Sequence, residues 1–258
     1  MRNRCARYLS MGKSFLLSYS KLSSMALEPW RKAIIKRVEQ QTHNTRRYFM
    51  EVPELTDFNF KPGQFVTLDL PIDDKPNKRW RSYSIASWPG GNNEFELCIV
   101  LNEAGKGTPY LFNESAVGTE INYRGPVGVF TLPENLDHDL FLICTGTGIA
   151  PFRSMIHHII NNKIPHKNIH LIFGCRKYAD ALYNDELKAL MQKDPNFFFY
   201  SVYSREEPHA HDEFVKFGYV HAQYEALCIK QKEQNGGELN PAHFYLCGWK
   251  NMVDEAKQ

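Results

Sequence analysis

None of the six cysteines in this 258-residue chain (Cys5, Cys98, Cys144, Cys175, Cys228, Cys247) is spaced C-x-x-C, and all lie far apart in sequence. That absence argues against a zinc site, a Cys-ligated iron–sulfur cluster and a disulfide scaffold, and it favours a reducing compartment. Long hydrophobic runs are missing too. The longest apolar stretch, around Leu140 to Phe152, is broken by Thr145 and glycines and falls short of the roughly 20 residues that a membrane-spanning helix requires. There is no basic stripe interleaved with aromatics, which removes the footprint of a nucleic-acid-binding protein. Neither His157-His158 nor His209-Ala210-His211 has a third ligand at workable spacing, so no metal site is expected. Nothing resembles a nucleophile triad.

Acid is absent in one place. No Asp or Glu precedes Glu28, while Arg2, Arg4, Arg7, Lys13 and Lys21 all do. The whole chain carries 31 basic against 29 acidic residues, so beyond this leader the balance turns to 26 against 29. Residues 1–27, basic and serine-rich, read as a disordered or transit-like leader, or as an over-extended start before Met25. The expected location is accordingly cytoplasmic, or an organellar matrix if the leader is a transit peptide.

From 28 to 133 the chain reads as short strands, among them Ala33 to Val38, Arg47 to Val52, Gln64 to Leu70, Trp80 to Trp88 and Phe95 to Leu101. Pro62-Gly63, Pro89-Gly90-Gly91 and Pro126 separate them, the pattern of a small antiparallel barrel. From 134 to 258 strands alternate with helices. Strands are expected at Leu140 to Cys144, Ile169 to Phe173, Phe197 to Tyr203 and Phe244 to Cys247. Helices are expected after Pro151, at Asn184 to Lys193 and at Phe217 to Lys230. Such alternation implies parallel crossovers and a doubly wound α/β sheet.

Four clusters of residues carry chemistry. In Arg81-Ser82-Tyr83-Ser84, strand alternation puts a cation and an aromatic plane on one face, suited to a phosphorylated aromatic ligand, with hydroxyls on the other. Gly105-Lys106-Gly107-Thr108 precedes a short helix and offers backbone N–H groups and a hydroxyl to a diphosphate. Thr145-Gly146-Thr147-Gly148-Ile149-Ala150-Pro151 lies where the first strand–helix turn of a nucleotide-binding sheet belongs, although it is not G-x-G-x-x-G. Downstream strand ends supply Arg176, the Ser204-Arg205 pair with Tyr219, and Cys247-Gly248-Trp249, all on the ligand side of such a sheet. Gly125 to Phe130 reads as the turn that closes the barrel.

In order, these elements and Phe173-Gly174-Cys175-Arg176 and Tyr245-Leu246-Cys247-Gly248 resemble the ferredoxin–NADP reductase family over roughly residues 30 to 258. The resemblance implies a Greek-key barrel holding FAD, followed by a domain holding NADP, or NAD. Arg81 would then contact the flavin diphosphate with Gly107 and Thr108, Tyr83 would stack on the flavin, and Ser84 would hydrogen-bond near its N5. Thr147 and Gly148 would cradle the dinucleotide, Cys247 and Gly248 would lie beside the nicotinamide, and Ser204, Arg205 and Tyr219 would recognise the 2′-phosphate. Ser84 and Cys247 are the catalytic candidates. The implied activity moves electrons between NADPH and a ferredoxin or flavodoxin. Alternatives are an NADH-dependent reductase component of an oxygenase, a flavin or ferric reductase, or a non-catalytic flavin-binding electron-transfer subunit. A monomer is expected. By the same resemblance the chain stops short of the family's usual C-terminal end, carries Cys144 where relatives often have a small residue, and has no fused iron–sulfur module.

Overall fold

The computed structural model describes residues 4–11, 14–17, 28–208 and 212–255. By contact they fall into two units, one of residues 28–132 with 150–158, the other of the N-terminal strands with 133–149 and 159–255. His209 and His211 lie outside the described residues, and no cluster of three metal-ligating side chains occurs among those described. No helix there is long and apolar enough to cross a membrane.

Within the leader, Arg4–Met11 (β1) and Ser14–Leu17 (β2) are strands rather than part of a wholly disordered extension. They form a hairpin whose first strand pairs antiparallel along the edge of the nucleotide-domain sheet. A sheet edge is a row of unsatisfied backbone donors and acceptors, and any extended segment that reaches it gains those hydrogen bonds.

The first unit is a barrel of β3 (Arg31–Thr42), β4 (Thr45–Glu51), β5 (Phe65–Asp69), β6 (Trp80–Ser84), β7 (Glu94–Val100) and β8 (Glu120–Val127). The strand order is β6-β5-β8-β3-β4-β7. A bridge between Ile85 and Leu97 closes β6 onto β7. Alternation sends Ala33, Ile35, Tyr48, Met50, Val66, Leu68 and Tyr123 inward. There Phe58 stacks on Phe95 with ring centroids 4.6 Å apart. β8 corrects part of the sequence reading of Gly125 to Phe130 as a closing turn with Pro126 a strand breaker: Gly125 to Val127 belong to the strand and Gly128 to Phe130 follow it. It is a full strand between β5 and β3, and Gly125 and Pro126 fall in a register shift of its pairing with β5. Proline cannot donate to a ladder, and an irregularity of this kind is where a strand tolerates it.

Two short helices lie outside the barrel strands, α1 (Pro76–Arg79) and α2 (Gly107–Asn113). α2 is anchored by its carbonyls: the Tyr48 hydroxyl donates to Leu111 O at 2.8 Å and Arg46 donates to Phe112 O at 2.8 Å. Groups left unpaired at a helix end are thereby satisfied, which fixes where the opposite end points.

The second unit is built on β9 (Asp139–Thr145), β10 (Ile169–Cys175), β11 (Phe197–Tyr203), β12 (Val215–Phe217) and β13 (Ala242–Gly248), all parallel, in the order β12-β11-β10-β9-β13. Helices α3 (Ile149–Asn161), α4 (Asn184–Met191), α5 (Val220–Gln234) and α6 (Lys250–Glu255) intervene or follow. Residues 150–158 of α3 group with the barrel. β9 and β13 are buried along nearly their whole length, as strands covered on both faces must be. The helix expected from Phe217 starts later. Phe217 ends β12, and Gly218, at φ +115°, donates its N–H to Tyr203 O at 2.9 Å before α5 begins at Val220.

Candidate functional site

Each unit carries one cluster of the residues singled out by sequence. On the barrel, Arg81 and Tyr83 pair across the ladder with Leu68 and Val66 and share their face, while Ser82 and Ser84 take the other. Arg81 Nη1 donates to the carbonyls of Lys78 (2.9 Å) and Trp80 (2.8 Å), which leaves Nε and Nη2 without partners among the described residues. The arm of Arg81 lies directly on Gly107: a Cβ there would stand 2.9 Å from Arg81 Cγ and 3.0 Å from its Nε. Two motifs 26 positions apart thus meet at the first residue of α2. Free guanidinium donors beside the unpaired N–H groups of a helix start make an anion cradle.

Tyr83, partly buried, packs against the barrel core. Burial holds its hydroxyl well above the usual tyrosine range, against an opposite pull from Arg81. It therefore stays a neutral aromatic surface. The Ser84 hydroxyl, half-buried, makes no hydrogen bond among the described residues. Thr108 differs from expectation: its hydroxyl accepts from Asn102 N at 2.8 Å and donates to Asn102 O at 3.2 Å. Its only proton is spent on the loop, so Thr108 shapes the cradle without a donor for a diphosphate. A cavity of about 630 Å³ lined by Pro71, Ile72, Asp73, Asp74, Arg79 and Lys106 adjoins this point through Lys106, the neighbour of Gly107. Sequence reasoning did not find these wall residues, because isolated loop charges carry no spacing signal.

In the second unit the carboxyl ends of β9 and β13 lock together. Residues 146–148 form a single 3-10 turn. A Cβ on Gly148 would stand 2.1 Å from Cys247 O, and one on Gly248 would stand 2.3 Å from Thr145 Oγ1. Trp249 N donates to that same Thr145 hydroxyl at 3.3 Å. Gly146, at φ +53°, has only Trp249 Nε1 near the place of a Cβ, at 3.8 Å, so its backbone conformation and not crowding demands glycine. Thr147 stands between these two glycines. Cys247 is 2% exposed and pairs with Cys144 across the ladder, so it is buried in the sheet beside the glycine turn. Trp249, 42% exposed, is the open aromatic that follows it.

The ends of β10 and β11 are joined by backbone hydrogen bonds from Ser204 N to Cys175 O and from Arg205 N to Arg176 O, each 3.0 Å. The Glu206 carboxylate accepts from Tyr178 N at 2.8 Å and extends the join. Arg176 and Arg205 are exposed on adjacent loops as a result. Tyr219 follows through Gly218, which is bonded to Tyr203; it is 65% exposed, with its ring 5.7 Å from that of His221. Burial, with Asp180 and Glu206 nearby, pushes the Cys175 thiol up to about 12, so it is no nucleophile at neutral pH.

The barrel cluster fits a flavin dinucleotide: it offers free guanidinium donors, an open hydroxyl, an aromatic plane and a helix start held by glycine. The second fits a pyridine dinucleotide, with a glycine turn at the strand ends and a cation pair one strand over.

Comparison with known proteins agrees. Residues 32–132 match the family described as the oxidoreductase FAD-binding domain, and residues 142–258 the oxidoreductase NAD-binding domain. Ferredoxin–NADP reductase B of Sorangium cellulosum is 32% identical over 202 residues, covering 78% of this chain and 79% of its own length. The toluate 1,2-dioxygenase electron transfer component of Pseudomonas putida is 31% identical over 227 residues; the match covers 88% of this chain, which spans 62% of that protein. The crystal structure of a ferredoxin NADP+ reductase from Neisseria gonorrhoeae with bound FAD and NADP superimposes with a TM-score of 0.71 at 26% identity, over 89% of each chain.

Proposed function

This chain belongs to the ferredoxin–NADP reductase family of FAD- and NAD(P)-binding oxidoreductases, and from that premise we propose that it passes electrons from NADPH to a separate one-electron carrier such as a ferredoxin or flavodoxin. The observation that carries the reading is the meeting of Arg81 with Gly107, which makes one cradle of two motifs that neither alone would specify. When bound, FAD supplies exchange between a two-electron nicotinamide and one-electron partners.

The protein's part is holding and orienting. Arg81 and the start of α2 bind the flavin diphosphate, Tyr83 presents its ring as a stacking surface, and the Ser84 hydroxyl offers a hydrogen bond to the ring system. Gly146, Thr147 and Gly148 let a second diphosphate approach the backbone at the end of β9, beside Cys247 and Gly248. Ser204, Arg205, Arg176 and Tyr219 recognise the adenosine 2′-phosphate, and on that account NADPH is preferred to NADH.

Anaerobic addition of NADPH to the FAD-loaded protein should bleach its visible absorbance. A protein that stays yellow would leave a flavin-binding subunit without turnover as the better reading. Ser84→Ala should slow stopped-flow flavin reduction by about 10- to 100-fold with little change in NADP+ affinity; equal rates would remove Ser84 from the reaction. The dioxygenase component among the relatives supports a second acceptor class, the terminal component of an oxygenase. Parallel turnover assays with ferredoxin, flavodoxin and a Rieske-type acceptor decide between them. We read the protein as a cytoplasmic monomer, a state that sedimentation of the holoprotein tests.

A further inference from the structure

The most buried charges of the barrel unit lie off both clusters. Glu96 on β7 and Arg153 on α3 are each 3% exposed. Arg153 Nη1 donates to Glu96 Oε2 at 3.1 Å and to the carbonyl of Ala86 at 2.8 Å. Arg47 grips the same carboxylate with both arms of its fork, Nε to Oε1 at 2.7 Å and Nη2 to Oε2 at 2.9 Å. One turn along α3, His157 stacks on Trp88 with centroids 3.9 Å apart and planes 9° from parallel.

A buried ion pair is a poor source of stability, since well-packed apolar residues of similar volume often do as well or better. What such a pair supplies is direction, and here it is aimed at one short stretch of chain. β6 ends at Ser84, and Ile85 and Ala86 follow. Ile85 N donates to Gln64 O at 3.0 Å and Ala86 N to Glu96 O at 2.8 Å. The Ser87 hydroxyl accepts from Glu96 N at 3.0 Å. Arg153 takes the remaining group, the Ala86 carbonyl, and clamps it to the same Glu96. The carbonyl two residues beyond Ser84 is therefore held by the Arg153–Glu96 acid–base unit, while the N–H of the same residue is held by the Glu96 backbone.

We infer that Arg153, with Glu96, is a positioning pair that fixes the strand end carrying the Ser84 hydroxyl. This deepens the reading of Ser84 as a flavin contact and rests on it. Arg47 keeps Glu96 neutralised when Arg153 is removed, so Arg153→Met should fold.

The test compares FAD-loaded wild type, Arg153→Met, Arg153→Lys, Ser84→Ala and the Arg153→Met/Ser84→Ala double variant. In Arg153→Met the Ala86 amide should exchange with solvent at least about tenfold faster, as a loosened strand end would. Its flavin reduction by NADPH should slow about tenfold or more while the NADP+ dissociation constant stays within about twofold, since a small misplacement at a reacting centre costs rate and not binding. Lysine, which retains the charge on a single donor nitrogen, should recover part of the rate, and the double variant should be no slower than Ser84→Ala. Unchanged Ala86 exchange overturns the inference whatever the rate, as does a wild-type reduction rate in Arg153→Met or additive losses in the double variant. If instead Ser84→Ala reduces at the wild-type rate, the flavin reading of Ser84 falls, and the Ala86 exchange still reports whether Arg153 holds the strand. Should Arg153→Met not fold, Arg153→Gln, which keeps a polar group at this place but has no charge to pair with Glu96, carries the same readouts.

Discussion

At the scale of single residues, the two glycines that matter most differ in what surrounds them. Gly148 faces backbone, with the Cys247 carbonyl oxygen 2.1 Å from the place of a Cβ, and backbone of a parallel sheet cannot step aside. Gly148→Ala should cost about 1–3 kcal/mol in chemical denaturation, the range for overpacking a rigid site. Gly107 faces the flexible arm of Arg81 at 2.9 Å. Gly107→Ala should cost less than about 1 kcal/mol of stability yet weaken FAD binding to the apoprotein several-fold, because the guanidinium is what moves. Both glycines were legible as loop punctuation in the sequence, and so was Arg81. That Arg81 would lie on Gly107, or that the Thr108 hydroxyl would be consumed by Asn102, was not. A single spacing says where a residue sits along its own element and nothing about which distant loop covers it.

Among the elements, the parallel sheet bears a ladder of rings in register: Phe244 on β13, Phe141 on β9, His170 on β10 and Phe198 on β11. Their centroid separations are 4.7, 4.7 and 5.1 Å. Burial among these rings lowers the His170 pKa to about 4, against a smaller raising effect of Asp139. The folded state thus keeps His170 neutral where the unfolded chain, titrating near 6.5, takes up a proton. Stability from this residue is complete above about pH 6.5 and falls as pH drops toward 4, by on the order of 3 kcal/mol in all. Denaturation midpoints measured across that window should decline, and His170→Phe should flatten that part of the decline. A slope identical to wild type would assign the acid sensitivity elsewhere.

β3 and β4 teach a different lesson about elements. Their basic residues are matched by acids: Arg31 by Glu54, Lys32 by Glu120, Lys36 by Glu94, Arg37 by Glu39 and Arg47 by Glu96. Arg46 is turned onto a carbonyl of α2. These two strands are therefore of mixed sign and offer an acidic electron carrier no uniform field. Lys32, Lys36 and Arg47 find their acids on other strands, a pairing invisible along a single strand.

For the whole molecule, the division of labour between nucleotide clusters gives the remaining prediction. Replacing Ser204 and Arg205 by Ala should raise the KM for NADPH by about 10- to 100-fold and leave that for NADH nearly unchanged, the loss of one charge-assisted phosphate contact. An unaltered NADPH/NADH ratio would place cofactor choice outside this loop. Two domains, a barrel followed by an alternating sheet, were already determined by the chain itself, because hydrophobic period and turn residues are local quantities that neighbours seldom override. So was the order of the clusters, Arg-x-Tyr-Ser ahead of a Thr-Gly-Thr-Gly turn after a buried strand, which is what the family resemblance rested on. Tertiary structure alone decided the rest. It made a strand of Glu120–Val127 despite its proline, set β1 along a sheet edge, joined Arg176 to Arg205 through their backbones, and turned Arg153 onto the carbonyl beyond Ser84. Each of these depends on contacts between residues far apart in sequence, whose partners are chosen by packing and hydrogen-bond satisfaction after the elements have formed.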